Sequence, residues 1–175
     1  LRSKISELKR ENITPEKLHA IIEAQRNELE SAEDRYHQKG PHKGKEKVAY
    51  RNFAKRIEKN EELLYVYQQY QQRLREERRY DYEDMIMETI RALDTTAGGR
   101  EDFLLQVQEQ YQYVLADEHQ DANNSQNQLL ELLTSFHESP NLFIVGDEKQ
   151  AIFQFQGASL DNFLYFTRRY PDALV

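Results

Sequence analysis

Two short apolar runs, each ending in aspartate, constrain the fold of this chain more than any other feature. They are YQYVLAD at residues 111–117 and NLFIVGD at residues 141–147. Short runs that are rich in β-branched and aromatic residues are typical of strands buried on both faces of a parallel sheet. We therefore predict two parallel strands, both covered on each face.

A helical pattern separates the two predicted strands. The segment NNSQNQLLELLTSF begins with residues that cap helices and continues with closely spaced leucines and a phenylalanine. A strand, a helix and a second strand in this order predict a βαβ unit, whose ligands bind outside the carboxyl ends of the strands. Asp117-Glu118 and Asp147-Glu148 would then meet at one edge of the sheet.

Neighbouring carboxylates at such an edge repel one another unless they share a metal ion or a proton, or are exposed to water. A site that hydrolyses phosphate esters uses one carboxylate to hold Mg²⁺ and the next to polarise the attacking water. The amides of Gln120 and Gln150 could orient that water or contact a phosphate without adding charge. A solvated acidic turn that caps the next helix is the structural alternative.

The first 80 residues are predicted to form helices joined by a loop. Thr14-Pro15 suits the start of one amphipathic helix, and a longer helical pattern runs from Val48 to about Arg79. Between them, residues 36–47 contain Gly40-Pro41 and Gly44 and are predicted to form a loop. Asp81 can cap the next helix, so we place a boundary near residue 80: a helical domain at 1–80 and an α/β domain at 81–175.

The two predicted domains differ in charge. Residues 1–80 contain 19 lysines and arginines against 14 acidic residues, whereas residues 81–175 contain 5 against 17. The basic run that includes Lys43, Lys45 and Lys47 could contact the phosphates of a nucleic acid or form a solvated surface, and the sequence favours neither. The acidic part suits a magnesium–nucleotide site.

The composition excludes several classes of site. The chain contains no cysteine, and its five histidines lack the spacing of a zinc site, so we expect no disulfide and no zinc. It contains no apolar run near the roughly 20 residues of a membrane span, so we expect no membrane partner. Absence of cysteine is compatible with a reducing compartment, and we expect a cytoplasmic protein.

Three ordered motifs resemble those of one enzyme family. VLADEHQDANNSQ and then LFIVGDEKQAIFQFQGA resemble motifs II and III of the UvrD/Rep-type superfamily 1 DNA helicases, and YDYEDMI resembles the helix just upstream. Residues 1–80 more loosely resemble the helical insertion, subdomain 1B, that interrupts the first RecA-like domain, 1A. The implied fold is α/β: a partial RecA-like parallel sheet of the P-loop NTPase type with helices on both faces, plus an all-helical subdomain.

The resemblance implies a role for each matching residue in an ATP- and Mg²⁺-dependent DNA helicase of repair or replication. Asp117 would bind Mg²⁺, and Glu118 would be the general base for ATP hydrolysis. Gln120 and Asp121 would link the nucleotide to neighbouring motifs, and Gln150 would sense its terminal phosphate. Phe153 and Phe155 would stack on bases of single-stranded DNA or of a single-strand/duplex junction.

The chain departs from the family pattern at several positions. Gln156 stands where the family has an arginine, His119 where it has phenylalanine or tyrosine, and Ala122 where it has threonine. No GxxxxGK[ST] phosphate-binding loop occurs in the sequence. We therefore expect an internal fragment that needs the remainder of a helicase chain and does not hydrolyse ATP alone. The strand that precedes the phosphate-binding loop in such folds would normally pack beside these two strands, and it is not in the sequence. Another copy of the chain could cover the apolar faces instead, so self-association is left open.

Two other functions are compatible with the residues. A magnesium nuclease could use Asp117 together with Asp147-x-Lys149, although the two glutamines and the FQFQGA segment have no role in that chemistry. Alternatively, residues 1–80 could be a helical binding module for a protein partner.

Overall fold

A computed structural model describes residues 2–136, 140–147 and 165–174 of the 175-residue chain. Seven α-helices and two strands lie in these ranges: α1 Arg2–Arg10, α2 Pro15–Ser31, α3 Val48–Glu76, α4 Tyr82–Leu93, α5 Glu101–Gln110, β1 Val114–Ala116, α6 Asn124–Thr134, β2 Leu142–Ile144 and α7 Tyr165–Arg169. The chain divides into two compact units. Unit 1 comprises Leu1–Ile5 and Ile13–Arg79, and unit 2 comprises Ser6–Asn12 and Tyr80–Val175.

Unit 1 is built around the pairing of α2 with α3. The hydroxyl of Thr14 caps α2 by accepting a hydrogen bond from the backbone N–H of Lys17 at 3.3 Å, and Pro15 occupies the first turn, where no donor is lost. The buried apolar residues of the two helices recur at helical spacing: Leu18, Ile22, Leu29, Ile57 and Tyr67. Burying each such side chain contributes roughly 1.5–3 kcal/mol, so this face stabilises the pair.

The loop between α2 and α3 closes on itself. Tyr36 and Glu46 form an isolated antiparallel bridge, and the backbone N–H of His37 donates to the carbonyl of Lys45 at 3.0 Å. Gly44 supports this return because it takes a φ of 78°, which is costly for other residues. These hydrogen bonds fix the backbone path of the loop, and Lys43 and Lys45 lie on this path.

Unit 2 starts each of its longer helices with a reciprocal cap. Asp81 and Asp84 form a capping box at the start of α4, and Asn123 and Gln126 form one at the start of α6. Helices α4, α5 and α6 pack together, with Ile90 and Leu93 of α4 buried. The cap of α6 matters for the site because this helix begins directly after the acidic segment.

The predicted βαβ unit is confirmed. Strands β1 and β2 pair in parallel, with Leu115 opposite Phe143, and α6 connects them. The prediction that both faces of the strands are covered was wrong for the described residues: Leu115 is 73% exposed and Phe143 is 62% exposed. Side chains alternate across a strand, and here only the face with Val114 and Ile144 is partly buried.

Residues 6–12 group with unit 2 in the structure, although the boundary predicted near residue 80 puts them in the helical domain at 1–80. Helix α1 therefore contributes its first residues to unit 1 and its later residues to unit 2. Among the described residues, no helix combines the length and the apolar character that crossing a membrane requires.

Candidate functional site

The carboxyl edge of the sheet brings the two acidic segments together. Beyond the strands, the backbone N–H of Val145 donates to the carbonyl of Ala116 at 2.8 Å, and the N–H of His119 donates to the carbonyl of Val145 at 2.9 Å. Asp117 and Asp147 therefore follow neighbouring parallel strands at one edge, and both are exposed. The predicted placement of these two aspartates at a shared edge is confirmed.

Glu118 lies at a sharp turn of the backbone. Its φ of 49° and ψ of 38° are left-handed, a conformation that costs a residue with a side chain roughly 1–2 kcal/mol. Hydrogen bonds hold the turn: the N–H of Glu118 donates to Asp117 Oδ1 at 2.9 Å, and the N–H of Asp121 donates to the carbonyl of Glu118 at 2.9 Å. The 3₁₀ turn His119–Asp121 follows, so the chain turns directly after β1. The exposed carboxylates of Asp117 and Glu118 lie at this turn.

Gln120 joins the two acidic segments through its buried side-chain amide. Its Nε2 donates to the carboxylate of Glu118, and its Oε1 accepts from the backbone N–H of Asp147 at 3.1 Å. Only 1% of the residue is exposed. The geometry therefore fixes the Glu118 side chain relative to the second strand, and it does so without adding charge to an acidic edge.

His119 is buried beneath the same turn. Its Nε2 lies 2.9 Å from Asn127 Oδ1 on α6, and its ring packs edge-on against Phe166 of α7, with the centroids 5.4 Å apart. Since an amide oxygen only accepts hydrogen bonds, we assign the proton to Nε2. Burial lowers the pKa of His119, and the bond to Asn127 opposes that shift only in part. The imidazole thus anchors the acidic turn to α6.

The exposed carboxylates fit a magnesium–nucleotide site by their chemistry. Mg²⁺ prefers oxygen ligands and is commonly held by one or two carboxylates, while substrate phosphates and water complete its coordination. Asp117 and Asp147 offer such oxygens at a solvent-exposed edge. In the described ranges, no group of three or more histidines, cysteines or acidic residues is placed to hold a metal by itself.

The remaining predicted site residues are distributed as follows. Gln150, Phe153 and Phe155 lie outside the described residues, as do Glu148, Lys149 and Gln156. Lys43 and Lys45 lie in unit 1 on the exposed loop between α2 and α3. Lys47, at the end of that loop, pairs through Nζ with Asp34 Oδ2 at 2.8 Å.

Comparison with known proteins identifies the family. The model of the UvrD/REP helicase N-terminal domain matches residues 1–171. This chain belongs to the UvrD/Rep helicase family. The resemblance predicted from the acidic motifs is therefore confirmed at the level of the family.

Individual helicases align over a large part of this chain. It is 35% identical to the ATP-dependent DNA helicase PcrA of Leuconostoc citreum over 125 residues, which is 70% of this chain and 16% of that protein. The PcrA proteins of Bacillus subtilis and Staphylococcus aureus are 36% and 37% identical over 110 and 108 residues, each 14% of the relative. The alignments thus span about one seventh of the length of these relatives.

Two features of this UvrD/Rep chain were missed by the sequence analysis. One is the anchor between His119 and Asn127, although Asn127 lies one helical turn after the cap at Asn123 and so on a related face of α6. The other is the burial of Lys9, whose side chain is fully enclosed. No local pattern distinguishes this lysine from the exposed charges around it.

Proposed function

We propose that this chain is part of an ATP-dependent DNA helicase and supplies the carboxylates that act on ATP. The observation that carries the proposal is the shared edge on which Asp117 and Asp147 lie, joined by the buried amide of Gln120. The family membership supports it, as does the similarity to the PcrA relatives, which are ATP-dependent DNA helicases. Unit 2 would be a partial RecA-like motor domain, and unit 1 would correspond to the helical insertion.

Each acidic residue receives a distinct task in this proposal. Asp117 would hold Mg²⁺, which neutralises charge on the phosphates of ATP when it is bound. Glu118 would accept a proton from the attacking water, and Gln120 would keep that carboxylate in position. Asp121 and Gln150 would connect these groups to the nucleotide and to the following motif.

The proposal assigns DNA contacts to both units. Phe153 and Phe155 would stack on bases of single-stranded DNA or of a single-strand/duplex junction, as such stacking is tolerant of sequence. Lys43, Lys45 and Lys47 would contact backbone phosphates, with Lys47 also bound to Asp34. The remainder of the helicase chain would supply the phosphate-binding loop, and we expect these 175 residues alone to be inactive as an ATPase.

Glu118→Gln in the intact protein that carries this chain tests the proposal. The substitution keeps the hydrogen-bonding shape of the side chain but removes its basicity, so kcat for DNA-stimulated ATP hydrolysis should fall by about 100-fold or more. Glu109→Gln is the matched control, because Glu109 is an exposed glutamate of α5 in the same unit.

Two results would contradict the assignment. One is an ATPase rate in the Glu118→Gln protein equal to that of the Glu109→Gln protein. The other is DNA cleavage by the intact protein without ATP that is lost on Lys149→Ala, which would favour a magnesium nuclease instead.

A further inference from the structure

Unit 2 contains a fully buried lysine between two aspartates. Lys9 Nζ lies 2.5 Å from Asp81 Oδ2 and 2.7 Å from Asp84 Oδ1. A buried ammonium is costly unless it is paired, so this charge cluster holds the end of α1 against the start of α4 in one geometry. The two aspartates are fixed in turn, because each accepts a hydrogen bond from the backbone N–H of the other at the cap of α4.

The segment that carries Lys9 also holds the first turns of α6. The hydroxyl of Ser125 donates to the carbonyl of Lys9 at 2.6 Å, and this bond is buried. Two further side-chain hydrogen bonds join the same elements, from Asn12 to Gln128 and from Asn124 to Glu11. Three contacts thus secure the beginning of α6 to residues 9–12.

Helix α6 in turn fixes the acidic turn. The helix begins at Asn124, so only Ala122 and the cap residue Asn123 separate it from the 3₁₀ turn His119–Asp121. One turn further along, Asn127 holds the buried ring of His119 at 2.9 Å. A displacement of α6 would therefore reach Glu118 through both the backbone and His119.

We propose that Lys9 is a positioning residue for the acidic turn Asp117–Asp121. The charge cluster of Lys9, Asp81 and Asp84 fixes α6 through Ser125 and thereby fixes Glu118 and Gln120. The proposal rests on the function proposed above, in which Glu118 is the general base. A base must lie within hydrogen-bonding reach of its water, and a misplacement of about 1 Å can lower a rate about 100-fold.

The expected changes in kcat and KM depend on which element holds each carboxylate. Asp117 directly follows β1 and is held by the pairing of this strand with β2, whereas Glu118 and Gln120 lie in the turn that α6 anchors. Loosening α6 should therefore lower kcat for ATP hydrolysis while leaving the KM for ATP within about threefold of its original value. A loss of folded protein would also lower the apparent kcat at an unchanged KM, so a second measurement on the acidic turn itself is needed to separate the two causes.

The test uses two variants of the intact protein. The triple variant Lys9→Met, Asp81→Asn and Asp84→Asn removes all three charges, and asparagine retains an oxygen that can cap α4. Ser125→Ala removes only the hydrogen bond to Lys9 and leaves the charges in place. Arg10→Met is the matched control, because Arg10 pairs with Glu83 across the same two helices at 3.4 Å but is partly exposed.

Two measurements separate positioning from stability. We expect kcat to fall by about 10-fold to 100-fold in the triple variant and by about 3-fold to 10-fold in Ser125→Ala, with Arg10→Met unchanged. Without nucleotide, amide hydrogen exchange of the peptide covering residues 117–123 should accelerate in both variants, while peptides of α3 exchange as before. Should the triple variant fail to fold, Ser125→Ala decides the outcome.

The positioning role is overturned if Ser125→Ala, or a folded triple variant, retains the kcat and exchange rates of Arg10→Met. Glu118→Gln is measured beside them. If it abolishes hydrolysis while the other variants stay active, only the role of Lys9 fails, whereas an active Glu118→Gln protein contradicts the proposed function itself.

Discussion

The side chain of Gln120 accepts a hydrogen bond from the backbone N–H of Asp147 at 3.1 Å, across the edge of the two-stranded sheet. The same amide donates to the carboxylate of Glu118. A carboxylate in this place would repel its neighbours, and an apolar side chain would leave both polar groups without this partner. The edge therefore requires a neutral side chain that can donate and accept at once.

Gln120→Ala should destabilise the chain by about 1–3 kcal/mol, because it removes a buried residue that satisfies polar groups on two segments. Urea denaturation followed by circular dichroism measures the change. Gln106→Ala on the exposed surface of α5 is the control and should stay within about 0.5 kcal/mol of the original chain. Equal midpoints for the two variants would contradict the structural role of Gln120.

Acidification should destabilise unit 2 through His119. Burial lowers the pKa of this histidine in the folded chain below its ordinary value of 6.5. Below about pH 6.5 the unfolded chain takes up a proton that the folded chain still excludes, so stability falls as pH drops from there toward the folded pKa.

Thermal unfolding between about pH 7.5 and about pH 5.5 measures this dependence. His119→Gln should unfold with a smaller dependence on pH, since glutamine does not titrate. His19→Gln, a substitution at an exposed residue of α2, should retain the slope of the original chain. A slope that is the same for all three proteins would exclude His119 as its source.

Arg78→Gly should stabilise unit 1 by about 1 kcal/mol. Arg78 follows α3 with a φ of 53°, a left-handed conformation that glycine adopts without the clash at Cβ. Gln69→Gly inside α3 is the opposite case and should cost about 1 kcal/mol, because there the backbone is helical. Chemical denaturation of both variants checks the predicted difference in sign.

The loop lysines should contribute to DNA affinity in a salt-dependent manner. Replacing Lys43 and Lys45 by alanine should weaken binding of single-stranded DNA by the intact protein and reduce the slope of log K against log salt by roughly 1.4. Lys47→Ala should have a smaller effect, because Lys47 already pairs with Asp34. Fluorescence anisotropy over a salt series measures both quantities.

Lys17→Ala, outside the basic run, is the control for the loop lysines and should leave the salt slope unchanged. If the Lys43 and Lys45 double variant has the same slope as this control, the loop is a solvated surface rather than a phosphate contact.

The sequence predicted the elements whose signals are local. The proline after Thr14, the cap at Asp81 and the apolar runs before Asp117 and Asp147 correctly indicated helix starts and parallel strands. Such signals depend on residues a few positions apart, so a single chain is enough to find them.

The features that the sequence did not predict depend on distant partners. Lys9 pairs with Asp81 across 72 positions, and nothing near Lys9 indicates that it is buried. The exposure of Leu115 and Phe143 was missed because an apolar strand has the same composition whether one face or both are covered. The order of apolar side chains predicts a strand, whereas the burial of its two faces depends on which elements pack against it.

The partners of residues 6–12 have a consequence for the order of folding. Ser125 and Gln128 lie 116 positions after Lys9 and Asn12, so these contacts close only once most of the chain has left the ribosome. The hairpin of α2 and α3 forms between residues that are much closer in sequence, and short loops close sooner than long ones. We therefore expect this hairpin to fold first during synthesis, and we expect unit 2 to be completed only after α6 has been made.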